Sequence, residues 1–138
     1  MYSKKYILII IIFTLIAISG CNKSGKEITT ASGLKYTEIK EGSGTAATNG
    51  KKVMVHYVGT LENGKVFDSS LNTNQPLNFI LGSGEMVPGF DEGILNMKVG
   101  GRRKLVIPPN LAWGSEGAQG VIPPNATVIF DIELLDVK

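Results

Sequence analysis

The acidic residue that most needs an explanation is Asp68, which lies in the sequence GKVFDSS just after an Asn-Gly pair. It directly follows Val66 and Phe67, two residues that favour burial, whereas an aspartate is seldom fully buried unless it is paired. Two interpretations are open from these residues. Asp68 is either a turn residue whose side chain hydrogen-bonds its own backbone, or a polar group placed in an apolar cleft.

The chain has a single cysteine, Cys21, and it follows a segment typical of a secretory signal. A short basic head precedes 13 almost wholly apolar residues, Tyr6 to Ile18. That length suits a signal peptide and falls short of the ~20 residues of a membrane-spanning helix. The sequence ISGC then resembles the lipobox of bacterial lipoproteins, in which the cysteine thiol receives a diacylglyceryl group. The alternative is an uncleaved membrane anchor with a chance cysteine.

These features divide the chain into three parts. Residues 1–20 are predicted to be a lipoprotein signal peptide. Residues 21–32 are predicted to be a lipidated flexible tether, because NKSGKEITT is polar and has no apolar period. Residues 33–138 are predicted to form one folded domain. Two or more acyl chains on Cys21 would hold this domain at a membrane.

Several other kinds of site lack the residues they need. One histidine, His56, and one cysteine cannot build a Cys/His zinc site, so no metal is expected and His56 is predicted to be an ordinary strand residue. The chain has no G-x-S-x-G elbow, no phosphate loop and no complete dinucleotide pattern, so no cofactor is expected. Lys4 and Lys5 account for the net charge of +2, and the balanced remainder argues against nucleic-acid binding.

The alternation of apolar and polar residues predicts an antiparallel sheet, and Asp68 lies on one of its strands. The sequences LKYTEI, VMVHYVGTL, PLNFIL, RRKLVIPP and TVIFDIELLDV are predicted to be strands, and 17 glycines supply many turns. An Asn-Gly pair favours a tight hairpin, which would pair Val53–Leu61 with Lys65–Ser69.

One helix is predicted, over the sequence PGFDEGILNMKVGG. Pro88 stands near its start, where a missing N–H costs nothing, and a Gly-Gly pair ends it. Phe90, Ile94 and Met97 fall at i, i+4 and i+7 and form one apolar stripe. Many antiparallel strands around one short helix make an α+β domain.

The sequence VHYVGTLENGKVFDSS resembles the FKBP-type peptidyl-prolyl cis-trans isomerases. The similarity continues through PLNFILGSGEMVPGFDEGILNMKVGG and GVIPPNATVIFDIELL, in order, and covers nearly all of residues 33–137. The resemblance implies a curved antiparallel β-sheet wrapped around one short α-helix, with an apolar pocket between them that accepts a proline ring.

The resemblance also implies the residues of this pocket. The catalytic set is Tyr57, Phe67, Asp68, Phe90 and Phe130, and the substrate-binding set is Leu77, Met86, Val87, Trp113, Val121 and Ile122. Phe90 would form the floor, and the backbone N–H of Val87 would hold a substrate carbonyl. Asp68 would bond the Tyr57 hydroxyl and lie beside the twisting imide. From the residues alone, plain core packing and the turn interpretation of Asp68 stay open.

Three positions depart from the family pattern. Phe90 stands where many members have tryptophan, Thr73 where several have arginine, and Trp113 where the best-known members have tyrosine. Activity is expected to survive these changes. Affinity for the family's macrolide inhibitors is expected to be affected, because the floor is smaller and Asp68 has one cationic partner fewer.

The function predicted from the sequence is prolyl isomerisation during the folding of exported proteins. The enzyme would act on proline-containing polypeptides, as a monomer, anchored through Cys21 to the outer or the cytoplasmic membrane of a bacterial cell envelope. Two alternatives are a non-catalytic peptide-binding or adhesion module on the same fold and a purely structural envelope lipoprotein. The intact pocket set, with Asp68 and Tyr57, favours the enzyme.

Overall fold

The computed structural model describes residues 25–138, and the predicted signal peptide and Cys21 lie outside that range. Within it, the elements in chain order are β1 Ile28–Thr29, β2 Lys35–Lys40, β3 Lys52–Leu61, β4 Val66–Ser69, β5 Leu77–Ile80, α1 Pro88–Ile94, β6 Arg102–Ile107, a 3₁₀ turn Pro109–Leu111, and β7 Val128–Val137. The predicted α+β class, an antiparallel sheet with one short helix, is confirmed.

All strand pairs are antiparallel, and the sheet runs in the order β1-β2-β6-β7-β3-β4. Strand β5 pairs with the N-terminal half of β3, and β4 pairs with its C-terminal half. The predicted hairpin between Val53–Leu61 and Lys65–Ser69 is therefore present. Because β4 ends the strand order, it lies at the opposite edge of the sheet from β1.

The core lies between the sheet and helix α1. On β7 the four alternate residues Val128, Phe130, Ile132 and Leu134 are all buried, as the sequence pattern predicts. Gly93 explains how closely the helix approaches β6. A Cβ atom at Gly93 would lie 2.3 Å from Leu105, so only glycine fits there, and its cost to helix propensity is offset by packing.

Helix α1 is shorter than predicted and ends at Ile94. The backbone turns at Asn96, which has a φ of 68°, and then pairs with Ala47 instead of continuing the helix. The Asn96 N–H donates to the Ala47 carbonyl, and the Ala47 N–H donates to the Met97 carbonyl. Met97 is buried as predicted, but it lies outside the helix.

The C-terminal end of the helix is held by a buried arginine on β6. One guanidinium nitrogen of Arg103, Nη1, donates to the carbonyls of Gly93 and Leu95, at 2.9 and 3.2 Å. Its Nε and Nη2 bind Glu38 of β2, at 2.8 and 2.7 Å, and the guanidinium stacks on the ring of Tyr36. Arg103 thus supplies the positive charge that a helix C-terminus favours.

The first described residues form a strap, defined as residues 25–32, which crosses from the sheet edge to the helix. The Gly25 N–H donates to the Glu38 carbonyl, and β1 pairs with β2. The hydroxyls of Thr30 and Ser32 then donate to the carboxylate of Glu92 on α1, at 2.8 and 2.7 Å. Hydrogen bonds and strand pairing therefore include residues before 33, inside the segment predicted to be a flexible tether.

Candidate active site

A cavity of about 200 Å³ opens between the C-terminal half of β3, strand β4 and the loop that precedes β7. It is lined by Tyr57, Phe67, Asp68, Met86, Trp113, Ala118, Val121, Ile122 and Phe130. Eight of these nine residues belong to the set that the sequence resemblance implied. The exception is Ala118, whose small side chain gave no signal in the sequence. The structure does not place Leu77, Val87 or Phe90 in the lining.

A β-bulge lets two consecutive residues of β4 face this cavity. Gly59 pairs with Asp68 and Thr60 pairs with Val66, so Phe67 is an extra residue with no partner on β3. In a regular strand, neighbouring side chains point to opposite faces. The bulge breaks that alternation, and so both Phe67 and Asp68 line the cavity.

Aromatic rings form one wall of the cavity. Phe67 contacts Phe130 and Trp113 edge-to-face, with ring centroids 5.6 and 5.8 Å apart. Gly59 lies directly behind this wall, and a Cβ atom there would come within 2.7 Å of Phe67 and 2.8 Å of Phe130. Sequence reasoning did not single out Gly59, although a glycine inside a strand often marks such a close approach.

Phe90 lies beneath the cavity and not on its surface. Its ring is completely buried and contacts Tyr57 and Phe130 edge-to-face, at centroid distances of 5.9 and 5.0 Å. The role of Phe90 as a floor that contacts substrate stays a prediction. In this structure, Phe90 supports the two rings that do line the cavity.

The polar group of the cavity is a pair formed by Tyr57 and Asp68. The phenol of Tyr57 donates a hydrogen bond of 2.7 Å to Asp68 Oδ2. Partial burial, and then the hydrogen bond and negative charge of Asp68, raise the pKa of the Tyr57 phenol above its ordinary value. Tyr57 therefore stays protonated, and its O–H remains a donor, throughout the physiological pH range.

Asp68 lies in strand β4 and not in a turn, and both of its carboxylate oxygens accept hydrogen bonds. Its Oδ1 accepts a hydrogen bond of 2.9 Å from the backbone N–H of Ser69. Its Oδ2 meanwhile binds Tyr57 inside the apolar cavity. Thr73, which stands where several family members have arginine, donates its hydroxyl to the Ser70 carbonyl at 3.4 Å. Residue 73 therefore supplies no positive charge to Asp68, whose carboxylate is exposed.

Ser70 fixes the end of β4 against β3, and sequence reasoning missed it. Its hydroxyl is buried and accepts the Tyr57 backbone N–H at 2.8 Å. The same hydroxyl lies 2.9 Å from Nδ1 of His56. His56 is therefore a supporting strand residue, as predicted, on the face of β3 opposite to the cavity.

Two of the predicted binding residues, Val87 and Leu77, do not line the cavity. Val87 immediately precedes helix α1, and among residues 25–138 no acceptor takes its backbone N–H. This is compatible with the predicted role of that N–H as a donor to substrate. Leu77 lies on β5, opposite Val55, and packs half-buried against the core. Trp113 is half-buried, and its ring contacts Phe67 at the cavity.

Within residues 25–138, no three His, Cys, Asp or Glu side chains come together as a metal site requires. The residues that line the cavity provide an apolar surface with one phenol, one carboxylate and the indole N–H of Trp113. Such a surface can enclose a small apolar ring and orient the amide attached to it.

A family model for the FKBP-type peptidyl-prolyl cis-trans isomerases matches residues 43–135. The chain belongs to this family. The FK506-binding protein of Neisseria meningitidis serogroup B is 53% identical to it over 105 residues, which are 76% of this chain and 96% of that protein. Peptidyl-prolyl cis-trans isomerase Fkbp12 of Drosophila melanogaster is 50% identical over 107 residues, 77% of this chain and 99% of that protein.

Solved FKBP structures have the same fold. The crystal structure of AtFKBP13 aligns with a TM-score of 0.78 and 42% identity, and covers 83% of this chain and 100% of that one. The crystal structure of FkpA from Escherichia coli aligns with a TM-score of 0.76 and 46% identity, over 84% of this chain and 54% of that one. The protein is accordingly a peptidyl-prolyl cis-trans isomerase of the FKBP type, a family that binds proline-containing peptides and macrolides such as FK506.

Proposed function

We propose that this isomerase works at the bacterial cell envelope, where a lipid on Cys21 holds it on a membrane and it accelerates the folding of exported proteins. The apolar run and ISGC sequence that precede the FKBP domain support this proposal. The structure has no helix within residues 25–138 that is long and apolar enough to cross a membrane.

The catalytic proposal rests on one observation, the Tyr57–Asp68 pair at the edge of an apolar cavity. Rotation about the bond before proline opposes a barrier of roughly 18–20 kcal/mol, which is the lost amide resonance. Resonance puts negative charge on the carbonyl oxygen, and water stabilises that charge in the planar amide. A cavity that excludes water therefore raises the free energy of the planar form more than that of the less polarised, twisted form.

Each side chain has a role in this scheme. Phe67 and Phe130 enclose the proline ring, and Phe90 supports Phe130 and Tyr57 from below. Asp68 orients Tyr57 by accepting the hydrogen bond of its phenol, and the carboxylate lies beside the twisting imide. The backbone N–H of Val87 and the indole N–H of Trp113 bind substrate carbonyls. The reaction needs no covalent step.

A refolding assay tests the isomerase role in folding. A denatured protein with a slow, proline-limited phase of tens to hundreds of seconds is refolded with increasing amounts of the full chain in a non-ionic detergent. We expect the slow phase to accelerate in proportion to enzyme concentration. A protein that binds proline peptides and leaves the slow phase unchanged would instead be a non-catalytic binding module.

Metabolic labelling tests the anchor. Bacteria that express the full chain should incorporate labelled fatty acid into it, and Cys21→Ser should abolish the label. Separation of the membranes then assigns the protein to the outer or the cytoplasmic membrane. Label that persists in the Ser variant would contradict lipidation at Cys21, without affecting the isomerase assignment.

Macrolide binding is proposed from the family and is measurable at Trp113, the only tryptophan in the chain. Its ring contacts Phe67 at the cavity, so a bound macrolide should change the indole emission in a saturable way. Trp113→Phe should remove that signal and weaken binding by about 0.5–1.5 kcal/mol, the contribution of one hydrogen bond. A macrolide that binds by calorimetry but leaves the emission unchanged would place Trp113 outside the site.

A further inference from the structure

Tyr57 lies opposite a gap in the strand pairing of the sheet. Strand β7 pairs with one side of β3 from Val53 to Leu61. On the other side, β5 pairs with β3 as far as Val55, and β4 pairs with it from Val58 onward. Tyr57 therefore falls between β5 and β4. Its backbone N–H and C=O on this side need partners outside both strands, because an unpaired buried backbone group costs about as much as a lost hydrogen bond.

One buried residue, Ser70, supplies both partners. Its backbone N–H donates to the Tyr57 carbonyl at 3.0 Å, and its hydroxyl accepts the Tyr57 N–H at 2.8 Å. The Ser70 carbonyl in turn accepts the Thr73 hydroxyl at 3.4 Å and the Gln75 N–H at 3.2 Å. Ser70 is thus fixed in the loop that follows β4, and its side-chain oxygen takes the place of a strand carbonyl in the gap.

The hydroxyl of Ser70 has a further contact, with the imidazole of His56. Its Oγ lies 2.9 Å from Nδ1 of His56. A hydroxyl has one hydrogen and two acceptor sites. If Nδ1 carries no hydrogen, the hydroxyl donates to it; if Nδ1 carries one, the hydroxyl accepts it and turns its own hydrogen to the Tyr57 carbonyl, 3.3 Å away. In both arrangements His56 restricts the rotation of the hydroxyl, and a lone pair stays directed at the Tyr57 N–H.

These bonds join Ser70 to both members of the Tyr57–Asp68 pair. Ser70 follows Asp68 by two residues on the same segment, and it holds the backbone of Tyr57 through its N–H and its hydroxyl. The Tyr57 phenol returns to Asp68 through the hydrogen bond of 2.7 Å. The contacts therefore form a closed ring, and a displacement of Ser70 relative to Tyr57 would change the geometry of the bond between phenol and carboxylate.

We propose that Ser70 is a positioning residue of this isomerase: its hydroxyl, oriented by His56, holds Tyr57 where the phenol meets Asp68. This inference rests on the catalytic role proposed above for the Tyr57–Asp68 pair. Ser70 is not among the residues that line the cavity, so it acts on the reaction through Tyr57. A small misplacement of a group that orients the reacting amide is enough to lower the rate many-fold.

The test substitutes Ser70→Ala in the full chain, in a non-ionic detergent, and measures kcat/KM for an Xaa-Pro peptide per folded molecule. We expect kcat/KM to fall about tenfold, because the Tyr57 N–H loses its acceptor and the phenol moves relative to Asp68. Ser69→Ala is the matched control. The Ser69 hydroxyl also accepts a backbone N–H, but that of Leu71, at 3.2 Å, so this variant should keep the parental kcat/KM. Parental kcat/KM in Ser70→Ala would overturn the proposal.

The same substitution in a Tyr57→Phe background separates positioning from a purely structural role. Without the phenol O–H there is no pair to position, so Ser70→Ala should lower kcat/KM by less than about twofold there, while it lowers the free energy of unfolding as much as in the parent. Equal fold-losses of kcat/KM in the two backgrounds would overturn the proposal. Tyr57→Phe alone reports on the pair: parental kcat/KM in that variant would contradict the catalytic role of the pair itself.

His56→Ala gives an independent test, which decides the question if Ser70→Ala does not fold. It leaves the Ser70 hydroxyl on Tyr57 and removes the imidazole that orients it. We expect kcat/KM to fall about two- to threefold, the low end of what one hydrogen bond contributes, and to stay unchanged in the Tyr57→Phe background. Parental kcat/KM in His56→Ala, or the same loss in both backgrounds, would overturn the role of His56 in positioning Tyr57.

Discussion

Two pairs of polar side chains flank the core of this protein, and they differ in how completely they are satisfied. Arg103 and Glu38 lie at the C-terminal end of helix α1, where Arg103 is only 8% exposed. Arg103 binds a carboxylate, two backbone carbonyls and the face of an aromatic ring. Tyr57 and Asp68 lie at the cavity, where they bind each other through one hydrogen bond and Asp68 remains exposed.

The difference separates a group that maintains the fold from a group that is available to a ligand. The hydrogen bonds that the Arg103 guanidinium donates are accepted by groups of the protein itself, so Arg103 contributes to the stability of the fold. Asp68 has acceptor capacity left over, in a place where a substrate enters. The same distinction predicts opposite outcomes for substitutions in the two pairs when stability and kcat/KM are both measured.

The largest loss of stability is expected for Arg103→Met. The substitution removes the partner of Glu38 and the cap of the helix carbonyls, and should cost about 3 kcal/mol in the free energy of unfolding. Urea unfolding measures the loss, and kcat/KM per folded molecule should change much less. Arg102→Met is the matched control: its ion pair with Asp131 is exposed, so it should cost less than about 1 kcal/mol. Equal losses in the two variants would contradict the comparison.

Gly59→Ala should affect stability and activity together. The added methyl group would collide with the rings of Phe67 and Phe130, so we expect a loss of about 1–3 kcal/mol from overpacking. Because the displaced rings line the cavity, kcat/KM should also fall. Unfolding and peptide isomerisation, measured on the same sample, check both. An alanine variant with the stability and activity of the parent would show that the wall is not close-packed.

Asp68→Leu should affect activity alone. The variant loses the acceptor of the Tyr57 phenol, and kcat/KM for an Xaa-Pro peptide should fall more than tenfold, about 1.4 kcal/mol or more. Stability should change little, because Asp68 is exposed. Glu62→Leu, in the turn that joins β3 to β4, is the control for a lost surface carboxylate. Unchanged turnover in a folded Leu variant would leave Asp68 with only its bond to Ser69.

The smallest expected effect is a loss of stability at alkaline pH. Because the folded pKa of Tyr57 is raised, the native state favours the protonated phenol. The resulting stabilisation is fully present below the unfolded pKa of about 10, and is lost as the pH rises towards the folded value. Between roughly pH 7 and 9, ionisation of Tyr57 should not reduce kcat/KM. Absorbance of tyrosinate should show one late-ionising tyrosine, which Tyr57→Phe removes; titration of that group near pH 10 would contradict the assignment.

The parts of the fold that were predictable are those controlled by local patterns. The alternation along β7 and the Asn-Gly turn before β4 each act within a few residues, and the structure confirms both. The helix end was not predictable, because Asn96 bonds to Ala47, far along the chain. The two serine and threonine hydroxyls that tie the strap to Glu92 are non-local for the same reason.

The site could be predicted only in part from individual residues. Resemblance to a family supplied most of the lining, but alternation alone would put Phe67 and Asp68 on opposite faces of β4. The bulge that brings them together depends on the pairing register with Gly59 and Thr60, which no single-strand pattern contains. Likewise, the complete burial of Phe90 depends on the rings of Tyr57 and Phe130 that cover it.

The strap would limit the distance between a membrane that holds Cys21 and the cavity of the enzyme. Gly25, which is already bonded to β2, follows Cys21 by only four residue steps, and an extended chain of four steps reaches at most about 14 Å. Strands β1 and β4 are five strand spacings apart, or roughly 24 Å along the curved sheet. A lipid on Cys21 would therefore keep the β1 edge close to the bilayer and the cavity at the far edge. The working height of the enzyme above the membrane would be set by the width of its own sheet, and lengthening the chain before Gly25 would extend it.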